Sequence, residues 1–95
     1  MYVIDSIEDP QNDLNTNLIG TFNLLDSIRK YSNQTKFINI SSNKVYGDLS
    51  WDKLQETDSQ YISKNYKYGY DESIPLQFSG PYGCSKGSAE QYVVD

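Results

Sequence analysis

The chain has 95 residues, 37% of them hydrophobic, and a formal net charge of −5. This length limits it to one domain or part of one. The acidic charge is spread without a basic stripe that could follow a phosphate backbone, so nucleic acid is not expected as a partner. The single cysteine, Cys84, excludes an internal disulfide. With no histidine there is no cluster of metal-ligand spacing, which excludes a structural zinc site, and no Ser-His-Asp triad is possible.

No apolar run is long enough to span a membrane. The first residues also lack the basic region, apolar stretch and small-residue cleavage site of a secretory leader. We therefore expect a cytoplasmic protein that does not act on a membrane.

The first predicted element is a helix from about residue 10 to 31. Asp9 can cap exposed backbone N–H groups, and Pro10 fits the first helical turn. Basic residues near residue 30 suit the negative end of the helix dipole. Apolar residues recur every three or four positions, as expected for one helical face: Leu14, Leu18, Phe22, Leu25 and Ile28.

A strand is predicted next, from Lys36 to Ser42. Phe37, Ile38 and Ile40 give this segment the apolar pattern of a buried or half-buried strand. A helix followed by a strand is the repeating half-unit of a parallel α/β sheet.

Residues 48–81 have no sustained periodicity beyond a possible short turn around residues 51–55, and we predict a long loop there. Loops of this length usually cover a site or pack on another domain. Four tyrosines of the loop could stack on a base or sugar, or could pack the loop against another part of the protein: Tyr61, Tyr66, Tyr68 and Tyr70. A second helix is expected to open at Pro81.

Tyr82 and Lys86 are the strongest candidates for chemistry. Their spacing places both side chains on one helical face, one turn apart. A phenol ordinarily ionises near pH 10, so it needs a nearby cation to act as a base near neutrality. With nine tyrosines in the chain, this spacing alone is a weak signal, and an ordinary exposed pair on a helix is the alternative.

Ser41 and Ser42 follow the predicted strand, at the end where open α/β sheets place their ligands. A hydroxyl group there could hydrogen-bond a reacting oxygen. Turn formation or helix capping is the alternative role for serines at such a position.

Four segments of the chain together resemble a known family. They are Asp9-Pro10 with Asn17-x-x-Gly20-Thr21-x-Asn23-Leu24-Leu25, then Ser42-x-x-Val45-Tyr46-Gly47, then Asp71-Glu72-x-x-Pro75, and finally Pro81-Tyr82-Gly83-x-Ser85-Lys86 with Glu90. In this order and spacing they are similar to the extended short-chain dehydrogenases that act on nucleotide sugars, the NAD-dependent epimerase/dehydratase family.

The resemblance implies an α/β fold, a Rossmann-like doubly wound parallel sheet. Residues 1–95 would be the central part of its NAD-binding domain, because the chain has neither the N-terminal glycine-rich βαβ unit nor the C-terminal substrate region. The isolated chain is then expected to bind NAD poorly and to be inactive. Cys84 lies within the Tyr-x-x-x-Lys segment and is expected to pack there and not to react.

The resemblance also assigns roles to individual residues. Tyr82 would be the acid/base, Lys86 the cation that supports it and binds the nicotinamide ribose, and Ser42 the hydroxyl partner. Asn17 and Ser41 would lie at the cofactor, although Asn17 could instead be a polar residue on a solvent-facing helix surface. In the implied reaction, Tyr82 removes a sugar hydroxyl proton as hydride passes to NAD⁺, which gives a transient ketosugar.

Asn43 and Lys44 separate the subfamilies. The 4,6-dehydratases of the family usually have an acidic pair at these positions, after the hydroxyl residue. The Asn-Lys-Val-Tyr-Gly stretch and the long polar insertion before Tyr82 instead resemble the CDP-paratose 2-epimerases, also called CDP-tyvelose epimerases. A nucleotide-sugar substrate is implied, with a CDP-sugar favoured, and Ser42, Asn43 and Lys44 would face it; Lys44 could equally be a solvent-facing lysine.

Other functions stay open at this point. A UDP-sugar 4-epimerase and a nucleotide-sugar 4,6-dehydratase are alternatives within the family. A non-catalytic remnant or interaction module that binds another chain is the alternative of a different class. The whole enzyme could be a homodimer.

Overall fold

The computed structural model describes residues 3–95, and the side chains of residues 5–95. Helices dominate this part of the chain. In chain order the elements are α1 (Val3–Glu8), α2 (Pro10–Asp13), a π-helical segment (Leu14–Ile19), α3 (Gly20–Tyr31), a 3₁₀ turn (Asn43–Tyr46), β1 (Leu54–Glu56), β2 (Tyr61–Ser63) and α4 (Gly80–Val94).

The helix predicted over residues 10–31 is confirmed as a continuous helical run formed by α2, the π segment and α3. Asp9 caps it as expected, because its carboxylate accepts the Asn12 backbone N–H at 3.2 Å. At the other end, Asp26 pairs with Arg29 at 2.8 Å and with Lys30 at 2.6 Å. The π segment is a feature that the sequence did not predict, and it contains the site candidate Asn17. Such segments occur frequently at functional sites.

The strand predicted from Lys36 to Ser42 is wrong for this structure. Within residues 3–95, the only strands are β1 and β2. Burial nevertheless alternates along the segment, since Phe37 and Asn39 are half-buried while Ile38 and Ile40 are 83% and 76% exposed. A strand requires a hydrogen-bonded neighbour. No described segment forms a backbone hydrogen-bond ladder with these residues, so their burial alternates although they do not form a strand.

The long loop is only partly irregular. β1 and β2 pair antiparallel within it, with Leu54 opposite Ser63 and Glu56 opposite Tyr61. Thr57 closes the turn, because its backbone N–H donates to the Gln60 carbonyl at 2.9 Å. The sequence prediction missed this hairpin because each strand has only three residues, too few to show a period.

The second predicted helix is confirmed as α4, which lies at the centre of the described chain and contacts α1, α2, the π segment, α3 and the 3₁₀ turn. Small residues permit this close packing. Gly83, Ser85, Gly87 and Ala89 are buried. A Cβ atom on Gly83 would lie 2.9 Å from the Lys44 carbonyl oxygen, so a larger residue there would push α4 off the 3₁₀ turn.

The apolar core is small. Val45, Ile74 and Ala89 are the buried hydrophobic residues of the described chain, while Leu14 and Phe22 of the predicted apolar helix face are 40% and 44% exposed. The radius of gyration is 16.4 Å, against about 12 Å expected for a compact domain of this length. None of the described helices is long and apolar enough to cross a membrane.

Candidate active site

α4 places Tyr82 and Lys86 one helical turn apart near its first residues. Gly80, with a φ of +68°, and Pro81 begin the helix, and both candidate side chains are half-buried. Tyr82 lines a small cavity of about 50 Å³, and Lys44 lines the same cavity. Two of the residues predicted for the site therefore share one cavity.

Lys86 connects α4 to the end of the segment that had been predicted as a strand. Its ammonium group donates a hydrogen bond to the Ile40 carbonyl oxygen at 2.6 Å. A lysine ammonium has three N–H donors, so two remain for other partners. The bond holds the ammonium group at the residue before Ser41 and Ser42, which are the predicted site serines.

The two serines have different environments. The Ser41 hydroxyl donates a hydrogen bond to the Glu90 carboxylate on α4. The Ser42 hydroxyl accepts the Lys44 backbone N–H at 3.2 Å and so caps the 3₁₀ turn. The capping role considered for these serines is therefore present at Ser42. Because that hydroxyl acts only as an acceptor in this bond, its own proton stays available for a substrate oxygen.

Asn17 bonds to α4 through Ser85. Its side-chain amide donates to the Ser85 hydroxyl at 3.0 Å, and that hydroxyl donates to the Tyr82 backbone carbonyl at 2.9 Å. The amide is thus not on a solvent-facing surface, which was the alternative. Ser85 is part of the fourth sequence motif, but no role of its own was predicted for it from the sequence. It is only 4% exposed.

Gly47 brings the end of the long loop back to the 3₁₀ turn. The Gln77 backbone N–H donates to the Val45 carbonyl at 3.0 Å. Gly47 has a φ of +75°, and a Cβ atom there would lie 2.6 Å from the Gln77 carbonyl oxygen. Only glycine fits this position, since both the backbone angle and the space exclude a side chain.

Asn43 and Lys44, predicted to bind substrate, line an open cleft of about 310 Å³. Tyr46, Leu49 and Tyr70 complete its walls with Gly47. Lys44 lines both this cleft and the cavity at Tyr82. Tyr70 comes from the far end of the long loop, so the loop contributes a wall to the cleft.

Asp52 organises the loop around Tyr70. It is 6% exposed, and its carboxylate accepts the Tyr70 hydroxyl at 2.7 Å and the Asn65 amide at 3.1 Å. Hydrogen bonds from Ser63 and then Tyr70 hold the pKa of Asp52 below its ordinary value. The same carboxylate raises the pKa of Tyr70, chiefly through their hydrogen bond. No sequence pattern predicted this cluster.

A larger cavity is not lined by Tyr82. It has a volume of about 620 Å³ and is formed by the hairpin and by Tyr66 and Tyr70. The candidate site is therefore identified by its residue types and hydrogen bonds and not by the size of its cavity. Tyr70 also lines this groove, which places it beside the cleft at Asn43 and Lys44. Among the described residues, no cluster of three or more Cys, Asp or Glu side chains could hold a metal ion.

The donor set fits the ribose of a dinucleotide. The two remaining N–H donors of Lys86 suit a pair of ribose hydroxyls. The free proton of Ser42 lies at the same end of the segment. These residues could hold NAD at its nicotinamide ribose.

A helix that opens with Tyr-x-x-x-Lys and packs on the turn after two serines is typical of short-chain dehydrogenases. The family model described as GDP-mannose 4,6 dehydratase matches residues 1–95, and the chain belongs to that family. This confirms the family predicted from the four sequence motifs.

Individual relatives agree with this assignment. The chain is 48% identical to CDP-paratose 2-epimerase of Salmonella typhi over 90 residues, and this alignment covers 95% of the chain and 27% of the relative. It is 30% identical over 92 residues to dTDP-glucose 4,6-dehydratase of Mycobacterium tuberculosis, and this alignment covers 97% of the chain and 23% of the relative. It is 32% identical over 85 residues to CDP-glucose 4,6-dehydratase of Salmonella typhimurium, and this alignment covers 90% of the chain and 20% of the relative. The chain thus spans about a quarter of the length of these relatives.

Proposed function

We propose that the chain provides the proton-transfer residues of an NAD-dependent nucleotide-sugar epimerase, with a CDP-sugar inverted at C2 as the favoured reaction. The observation that carries the proposal is the 2.6 Å bond from Lys86 to the Ile40 carbonyl, which holds the Tyr82 helix against the end of residues 36–42. In the proposed enzyme, residues 1–95 are the central part of an NAD-binding domain with a Rossmann-like doubly wound parallel sheet.

Each residue has a distinct task in the proposed mechanism. The positive charge of Lys86 stabilises Tyr82 as a phenolate, which takes the proton of the reacting sugar hydroxyl and becomes a neutral phenol. Ser42 donates its free O–H to the reacting oxygen. NAD, when bound, supplies the hydride acceptor. Lys86 holds its ribose, and the chain of bonds from Asn17 through Ser85 keeps Tyr82 in place beside it.

Asn43 and Lys44 favour epimerisation over dehydration. Elimination of water needs one group that donates a proton and one that removes a proton. A neutral amide and an ammonium group line the cleft here instead of two carboxylic groups. The ammonium of Lys44 suits the diphosphate of a nucleotide sugar. The 48% identity to a CDP-paratose 2-epimerase supports a CDP-sugar.

A segment exchange tests the proposal. In Salmonella typhi CDP-paratose 2-epimerase, the matching segment is replaced by this chain to give what we call the exchanged enzyme. We expect it to bind NAD and to invert CDP-paratose, with the product identified by NMR. UDP-glucose is assayed in parallel, because the chain is also 32% identical to a putative UDP-glucose 4-epimerase of Methanocaldococcus jannaschii.

The matched variant is Lys86→Met in the exchanged enzyme. We expect it to lower kcat about 100-fold or more and to weaken NAD binding, because it removes both the cation and the ribose donor. A folded exchanged enzyme that binds NAD but inverts no sugar would refute the proposal, and so would a Lys86→Met variant of full activity.

We also propose a cytoplasmic homodimer for the whole enzyme, for which light scattering measures the assembly.

A further inference from the structure

Tyr70 is held rigidly although it belongs to a long loop. Its hydroxyl donates to the Asp52 carboxylate at 2.7 Å. Its ring packs against Tyr66 at a centroid distance of 5.1 Å and against Trp51 at 6.3 Å. The Asn65 amide satisfies the second oxygen of Asp52 at 3.1 Å. The ring orientation is therefore fixed by a hydrogen bond and by two aromatic neighbours.

The position of this ring relates it to the candidate site. Tyr70 forms one wall of the 310 Å³ cleft that Asn43 and Lys44 also line. Lys44 is in turn shared with the cavity at Tyr82. Lys44 therefore borders both the cavity at Tyr82 and the cleft at Tyr70.

We propose that Tyr70 contacts substrate by packing its ring on the hexose of the nucleotide sugar, and that Asp52 is the positioning residue that holds this ring. The inference rests on the proposed function and adds a specificity residue to it. The apolar C–H face of a hexose suits an aromatic ring, while the Lys44 ammonium suits the adjacent diphosphate. Because the ring is already fixed, binding does not have to order it.

The size and lining of the cleft fit this ligand. A volume of about 310 Å³ lies within the range of small-molecule sites, and a few polar groups among apolar walls are typical of them. Among its lining residues, Asn43 and Lys44 have polar side chains, while Leu49 and the two tyrosines have largely apolar ones.

The test measures binding to the exchanged enzyme by calorimetry, with CDP-glucose and CDP as probes. We expect Tyr70→Ala to weaken CDP-glucose about tenfold and to leave CDP unchanged, because CDP lacks the hexose. Tyr68→Ala is the matched control, since Tyr68 is 94% exposed and does not line the cleft. We expect this control to bind both probes normally.

Asp52 requires a readout that a purely structural role would not change. We expect Asp52→Asn to raise KM for CDP-paratose while kcat stays close to that of the parent. Tyr70→Phe keeps the ring but loses the same hydrogen bond. The double variant Asp52→Asn/Tyr70→Phe should therefore have a KM no higher than that of Tyr70→Phe alone.

The outcomes separate this inference from the proposed function. If the exchanged enzyme binds CDP-glucose and Tyr70→Ala binds it equally well, the inference is wrong and the proposed function stands. If Tyr70→Ala weakens CDP as much as CDP-glucose, the ring does not contact the hexose, and the inference is again overturned. If the folded exchanged enzyme binds neither probe, the proposed function fails as well.

Discussion

Two regions of the molecule are held together in different ways. Around α4, contacts join residues far apart in the chain, such as Asn17 with Ser85, and glycines let backbones approach closely. Residues 48–79 form mostly local contacts, which centre on the buried Asp52 carboxylate and three aromatic rings. The first region depends on shape, so volume changes should disrupt it. The second depends on one charge, so protonation should disrupt it.

Gly47→Ala should have the largest effect, because Gly47 lies where the 3₁₀ turn that packs on α4 meets the end of the loop region. The substitution combines a backbone angle that side chains rarely adopt with a Cβ atom 2.6 Å from the Gln77 carbonyl. We expect the free energy of unfolding, measured with urea, to fall by about 3 kcal/mol or more. Gly69→Ala is the control for the angle alone, because Gly69 has a φ of +97° with open space around it. Equal losses in the two variants would show that the close approach contributes nothing.

The bond between Asn17 and Ser85 should have a moderate effect. We expect Asn17→Ala and Ser85→Ala each to lower the free energy of unfolding by about 1 kcal/mol, because each removes a hydrogen bond near a buried hydroxyl. The double variant should lose less than the sum of the single losses. Fully additive losses in this thermodynamic cycle would contradict a direct interaction.

The loop region should respond to acid. The pKa of Asp52 is lowered in the folded chain, so its contribution to stability is present above the ordinary aspartate value and is lost as the pH falls through the lowered value. The ordinary value is 3.8. Trp51, the single tryptophan, packs on Tyr66 and Tyr70, and its fluorescence should change in that acidic range.

Asp26 provides the control for this acid response. Its pKa is also lowered, by hydrogen bonds from Lys30 and then Arg29, but it lies on α3. Asp52→Asn should remove the fluorescence change, whereas Asp26→Asn should leave it. Persistence of the change in Asp52→Asn would assign it to another carboxylate. Tyr70 should respond to base instead of acid. Its pKa is raised, so the stability that its protonated hydroxyl contributes is lost only as the pH rises through that raised value.

The sequence predicted the parts whose signals are local. Asp9 with Pro10 marks one helix start and Pro81 another, because caps and proline act on the residues next to them. The predicted strand at residues 36–42 failed because a strand also needs a neighbour. The Asp52 cluster was not predictable, since a carboxylate and a phenol 18 positions apart share no periodic pattern. Family resemblance, and not spacing, selected Tyr82, Lys86 and Ser42.

The measurement that tests the central claim most directly is kcat of the exchanged enzyme carrying Tyr82→Phe. The substitution keeps the ring on α4 and removes only the hydroxyl that would take the sugar proton. Tyr92→Phe is the matched control on the same helix, where the Tyr92 ring packs on Phe22 at 5.5 Å. We predict that Tyr82→Phe lowers kcat by about 100-fold to 10,000-fold while Tyr92→Phe leaves it unchanged. Equal activity of the two variants would contradict the role assigned to Tyr82.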